Sequence, residues 1–143
     1  MRNDCVFCAI ADGELPSNII YEDDLFVVIP DRNPKCAGHA LIFPRKHAAT
    51  IYELPDLEAS RLFPCAKKIA AAIGRAFPSD GLNLIQNNGA AAGQTVGHLH
   101  LHLIPRQASD GMKIKWEPTD PGLGELASAA NKIRAALNTN SGD

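Results

Sequence analysis

Only five histidines occur in this 143-residue chain, and three of them stand at alternate positions in "GHLHLHLIPR" (97–106): His98, His100 and His102. In an extended chain, side chains at i, i+2 and i+4 share one face. Three imidazoles therefore face one way, and Leu99, Leu101 and Leu103 face the other. The leucine face is ordinary packing surface for helices. The imidazole face is not, because each buried ring needs partners for two nitrogens. A merely solvated strand face would be built from Thr, Lys or Glu. Two chemistries suit the pattern. Neighbouring histidines on a strand can share a zinc ion. Alternatively, a neutral imidazole can attack phosphorus or an acyl carbon with no strong base to help it. The loop just before, "GQTVG" (93–97), supplies the Gln94 amide, the Thr95 hydroxyl and the backbone N–H groups from Gly93 to Thr95. Such donors cradle a phosphate and stabilise charge that develops in a transition state.

A second group of reactive side chains is the C-x-x-C formed by Cys5 and Cys8. It admits three readings. A redox pair calls for a strand-to-helix junction among parallel strands, which the flanking sequence does not offer. Two unpaired core thiols need no partners. Half of a zinc site needs two more ligands, and histidines are available. Cys36 and Cys65 stand apart and read as small buried hydrophobes.

The elements that must position these groups are legible in outline. "NIIYEDDLFVVIPD" predicts two short strands, 18–22 and 25–30, around an acidic turn. "HALIFPR" predicts a third strand stopped by Pro44. Residues 55–77 read as a helix with Leu57, Leu62, Ile69 and Ile73 on one face, which Pro64 should kink or split. "GLNLIQNN" is a fourth strand, and "GHLHLHLIP" is the fifth. Residues 105–122 form a long loop, and "LGELASAANKIRAAL" is a C-terminal helix. The expected architecture is α+β: one domain over 1–137 followed by a disordered tail, 138–143.

Composition bounds the function. Apolar residues make up 45% and charged residues 21%, as in ordinary globular chains. A net charge of -2 gives no general reason to bind nucleic acid, so a phosphate ligand must be held by a local site. No apolar run reaches the roughly 18 residues of a membrane span. The N-terminal stretch carries Asp4 and Asp12 and does not read as a signal peptide, so the expected compartment is the cytoplasm.

With those residues in view, the chain resembles the histidine triad family of nucleotide hydrolases and transferases. The family signature is His-φ-His-φ-His-φ-φ, with φ apolar, and "HLHLHLI" matches it from His98 to Ile104. "IIYEDDLFVVIPD", "GHALIFPRKH", "QNNGAAAGQTVGH" and the "LIPR…DG…W" tail extend the resemblance from Cys5 to Trp116. It is most similar to the bacterial, zinc-containing, Hint-like branch. The resemblance implies a five-stranded antiparallel sheet with a long central helix and a C-terminal helix, in a homodimer with a purine nucleotide pocket. His100 would attack the α-phosphorus of a nucleoside phosphoramidate or polyphosphate, and water would release the monophosphate from a nucleotidyl-histidine. His102 would hydrogen-bond the phosphate oxygens, and His39 would join the cluster. Gln94, with the Gly93–Thr95 backbone, would hold the phosphate, supported by Asn87. Asp31 would accept the ribose hydroxyls. Phe7, Leu15 and Ile29 would line the base pocket, although each also reads as ordinary core. Cys5, Cys8, His47 and His98 would hold a structural zinc ion. All five histidines are then assigned.

Two features bear on the chemistry. The loop hydroxyl is Thr95, where serine is the more usual residue in this family. The third triad position is histidine, whereas the uridylyltransferase branch carries glutamine there, which favours hydrolysis over transfer. Two rival functions remain. One is a zinc hydrolase using His98, His100 and His102 as metal ligands. The other is a non-catalytic nucleotide-binding module.

Overall fold

The computed structural model describes residues 4–114 and 116–139. The chain divides into two compact units, Met1–Gly111 and Met112–Asp143.

The first unit is built on five antiparallel strands: β1 (Tyr21–Glu22), β2 (Phe26–Pro30), β3 (Ala40–Pro44), β4 (Gly81–Gln86) and β5 (Leu101–Arg106). Their order across the sheet is β1-β2-β3-β5-β4, so the triad strand is an inner one. The hairpin between β1 and β2 closes on Asp23, whose Oδ1 accepts the N–H groups of Leu25 and Phe26, both at 2.8 Å. β1 is shorter than expected: Ile19 and Ile20 precede it and are exposed.

Both faces of the sheet are covered, which explains the unbroken apolar runs in β2 and β3. One face packs on α2 (Asp56–Ala76): Leu99, Leu101 and Leu103 join Leu62, Cys65, Ala66, Ile69 and Ile73 in one core. The other face packs on a short N-terminal helix, α1 (Val6–Ala11), which the sequence reading did not foresee. There Phe7 stacks on Phe43, centroids 4.5 Å apart.

α2 corrects two expectations. It is not split at Pro64 but continues through it. Pro64 lies on the exposed side, and so does Ser60, whose carbonyl loses its helical donor to the proline. Leu57 is 54% exposed, because the inward stripe begins one residue later at buried Glu58 and continues through Leu62.

The fifth strand also starts later than expected, at Leu101 instead of residue 97. Its ladder partners run out there: β4 ends at Gln86, paired with Leu101, and β3 pairs only through Ile42. Beyond that point the groups a strand would bond are used differently. The carbonyl of Pro44 accepts from the His98 ring, and the Leu99 N–H donates to Ala48.

The second unit contains α3 (Leu123–Thr139). Asn138 and Thr139, expected in the tail, belong to this helix, and the remainder of that tail lies outside the described residues.

Candidate active site and metal cluster

Cys5 caps α1, and Cys8 lies in its first turn with its N–H on the Cys5 sulfur at 3.4 Å. The C-x-x-C spacing thus brings both sulfurs to one side of a helix start. His98 reaches them from the sheet, its Nδ1 lying 3.3 Å from Cys5 Sγ and 3.5 Å from Cys8 Sγ. His47, from the loop after β3, brings its Nδ1 to 3.3 Å from Cys8 Sγ. All four ligand atoms lie within 4.8 Å of one another. The edges of a tetrahedron with zinc–sulfur and zinc–nitrogen bonds are about 3.5 Å long. Donor types, number and spacing therefore fit zinc. The other nitrogen of His98 is fixed as well: Nε2–H donates to the Pro44 carbonyl at 2.8 Å, which leaves the Nδ1 lone pair facing the sulfurs. Burial pushes the His98 imidazole down to about 4, so it is neutral and able to ligate at pH 7.

Two residues on, the same logic is inverted. The Nδ1–H of His100 donates to the His98 carbonyl at 2.8 Å, which leaves the lone pair on Nε2. His100 is buried, with Phe7 edge-on to its ring, centroids 5.2 Å apart.

His102 is held by a chain of hydrogen bonds that settles its tautomer. The Lys35 N–H donates to His39 Nδ1 at 3.0 Å, so the proton of His39 is on Nε2. That Nε2 lies 3.0 Å from His102 Nδ1 and 3.3 Å from Asp31 Oδ2. His102 accepts there and carries its own proton on Nε2. Burial holds both rings below the ordinary imidazole range, His102 at about 4. Asp31 opposes the shift in each. At neutral pH His39 and His102 are therefore neutral imidazoles, and His102 presents an Nε2–H donor.

His100, His102 and Thr95 line a cavity of about 780 Å³, together with Phe7, Leu15, Ile29 and Asp31. The expected base-pocket and ribose residues thus share one cavity with His100 and His102. The loop over it folds through a 3₁₀ turn, Ala90–Ala92, and Gly93 at φ 93°. A side chain at Gly93 would meet the Asn87 amide at 3.5 Å, so Asn87 backs this loop. Gln94 is placed otherwise than the sequence suggests. Its Nε2 donates to the carbonyls of Ala49 and Val96 at 2.7 and 2.9 Å, and its Oε1 accepts from the Gly89 N–H at 2.7 Å. Its amide is spent on bracing the loop. The site's outer support was also missed: Lys35 and the Pro44 carbonyl set tautomers through backbone groups, which no side-chain motif announces.

The three triad rings do not converge on one metal. Among the described residues, the groups spaced to hold an ion are Cys5, Cys8, His47 and His98, and separately Asp31, His39 and His102. The second group is already joined by the His39–His102 hydrogen bond. Among the described residues, no helix is long and apolar enough to cross a membrane.

A family model described as the HIT domain matches residues 12–109. The adenylylsulfatase HINT3 of Arabidopsis thaliana is 46% identical over 110 residues, 77% of this chain, which spans only 56% of that protein's length. The adenosine 5'-monophosphoramidase of Schizosaccharomyces pombe is 36% identical over 134 residues, covering 93% of this chain and 98% of the relative. Among solved structures, a zinc-bound histidine triad family protein from Mycobacterium smegmatis superposes with a TM-score of 0.74 at 35% identity, covering 95% of this chain and 99% of that one.

Proposed function

This chain belongs to the HIT domain family, and from that premise we propose that it is a hydrolase of purine nucleoside phosphoramidates or dinucleoside polyphosphates. The observation that carries the reading is the state of His100: Nδ1–H tied to the His98 carbonyl, Nε2 free, in the wall of a nucleotide-sized cavity. Nε2 attacks the α-phosphorus, and the bond to the leaving group breaks as the N–P bond forms. The leaving group takes a proton from solvent, matched by the one that water gives up in the second step. His100 keeps its Nδ1–H, so the nucleotidyl-imidazole is cationic and is itself a good leaving group for water. Water then forms the new P–O bond, loses a proton and restores neutral His100. The Nε2–H of His102 and the Thr95 N–H donate to the phosphate oxygens, where charge develops, while the Gly93 and Gln94 N–H groups expected there are taken by the Ala90 and Gly89 carbonyls. His39 orients His102, and Gln94 acts by holding the loop. Asp31 accepts the ribose hydroxyls, and Phe7, Leu15 and Ile29 contact the base. The activities named for the Arabidopsis thaliana and Schizosaccharomyces pombe relatives support this substrate class.

Cys5, Cys8, His47 and His98 would hold zinc, which supplies a structural cross-link between α1, the loop after β3 and the triad segment. A homodimer is the proposed assembly. Its support is the edge strand β4, where Leu82 and Leu84 are exposed. Light scattering of the purified protein tests it, and a monomer mass would refute it. The function itself is tested by incubating the protein with an adenosine phosphoramidate and a diadenosine polyphosphate. Release of adenosine monophosphate through a trapped phosphohistidine supports the reading. Tight nucleotide binding without turnover would favour the regulatory module instead.

A further inference from the structure

Among the residues lining the cavity is an exposed arginine that the reaction above does not use. Arg32 is the only cation among the described residues that line it. Among the described residues, no hydrogen-bond or ion-pair partner holds its guanidinium. Its chain neighbour does not neutralise it. Asp31 gives Oδ1 to the Asn33 N–H at 2.8 Å and turns Oδ2 to His39 at 3.3 Å and His102 at 3.7 Å. That carboxylate faces the imidazole side of the cavity. The Arg32 guanidinium lies beyond ion-pair distance of it.

The rest of the cavity states what an unpaired guanidinium can do there. Phe7, Ile10, Leu15 and Ile29 give it an apolar wall suited to a flat ring. A guanidinium is planar and weakly hydrated, and it stacks on aromatic faces. It needs no anion to do so. We infer that Arg32 is a base-specificity residue that stacks on the nucleobase of the substrate; this rests on the nucleotide-hydrolase reading. Stacking of this kind rewards the larger π-surface of a purine over a pyrimidine. It also adds affinity that does not depend on the phosphate.

The test is direct binding of four probes, adenosine, adenosine monophosphate, cytidine monophosphate and ribose 5-phosphate, to wild type and to Arg32→Gln. A cation–π contact at an exposed site corresponds to about a two- to fivefold change in affinity. Arg32→Gln is expected to weaken adenosine and adenosine monophosphate by that same factor, to weaken cytidine monophosphate less, and to leave ribose 5-phosphate unchanged. Losses confined to adenosine monophosphate and ribose 5-phosphate would overturn the inference in favour of an anion contact. Equal affinities in both proteins would overturn it as well. Wild type that binds none of the four probes would instead overturn the nucleotide-hydrolase reading beneath it.

Discussion

The Nδ1–H of His100 is bonded to the carbonyl oxygen of His98 at 2.8 Å, two residues back along the same chain. The His98 ring is fixed in the opposite sense, with Nε2–H on the Pro44 carbonyl at 2.8 Å. Two backbone carbonyls thus decide which nitrogen each ring exposes. His98 turns Nδ1 to the cysteines, and His100 keeps Nε2 for the cavity. One short segment thus presents opposite ring nitrogens to the cysteine pair and to the cavity.

The first prediction follows from that tautomer. His100→Asn removes the free Nε2 while keeping a polar side chain of similar reach. Turnover should fall by at least about a thousandfold, as for loss of a covalent nucleophile, with nucleotide affinity retained. Substrate labelled in its monophosphate portion should leave label on wild-type protein after an acid-free quench, and none on the variant. Label on the variant would assign the nucleophile elsewhere.

His102 should titrate far below an ordinary histidine. Burial lowers it from 6.5 to about 4, with smaller contributions from His100 and His39, while Asp31 raises it. The NMR signal of its ring C–H should therefore move with a midpoint near 4. Asp31→Asn should push that midpoint lower still, because it deletes the negative charge that favours the proton. The sign for stability follows. Between about 6.5 and about 4 the unfolded chain binds a proton that the folded chain refuses. The contribution of His102 is complete above that window and is lost as pH falls through it. A midpoint between 6 and 7 would mean that the ring is solvated and outside the relay.

Asp31 has two tasks that can be separated. Its Oδ2 lies 3.3 Å from His39, and it also lines the cavity. If the carboxylate accepts ribose hydroxyls, Asp31→Ala should weaken ribonucleotide binding by about 1.5–3 kcal/mol, the range for a hydrogen bond to a charged group. Deoxynucleotide affinity should fall less. Equal losses measured by calorimetry would place its role entirely in the histidine relay.

Much of this architecture was legible because alternation is a strong signal. Leu99, Leu101 and Leu103 fall on the α2 side as the period of two requires. The alternating histidines and the C-x-x-C marked the reactive groups, while His39, His47 and Asp31 entered through the family resemblance. The unread parts have identifiable causes. α1 is six residues long and takes its stability from packing Phe7 and Cys8 beneath the sheet, so no local periodicity betrays it. The inward stripe of α2 begins at Glu58, a carboxylate, and a hydrophobic pattern search therefore starts on Leu57. Gln94 was read as a phosphate donor from its place in the loop, but its three bonds run to backbone groups as distant as Ala49. Such long-range backbone partners leave no trace in residue type.

The last prediction concerns the metal. Cys5, Cys8, His47 and His98 make four protein ligands, and a tetrahedral zinc ion so held has no open position for water or substrate. The bound ion would join α1, the loop carrying His47 and the segment leading into β5. Phe7 stands between the two chemistries, edge-on to both His98 and His100, so the cross-link bears on the nucleophile only through packing. Cys5→Ser with Cys8→Ser should therefore lose the metal and lower the melting temperature by several degrees or more, since a structural ion contributes folding free energy directly. His47→Asn, which alters one ligand outside the triad segment, should do so by a smaller amount. In both variants the fraction still folded should turn over at a rate within about tenfold of wild type, because losing an outer packing constraint misplaces the nucleophile less than removing it. Metal content, melting and turnover per folded molecule are measured on the same sample. A folded, metal-free fraction that is inert, and that regains activity on adding zinc with no change in melting, would make the ion catalytic.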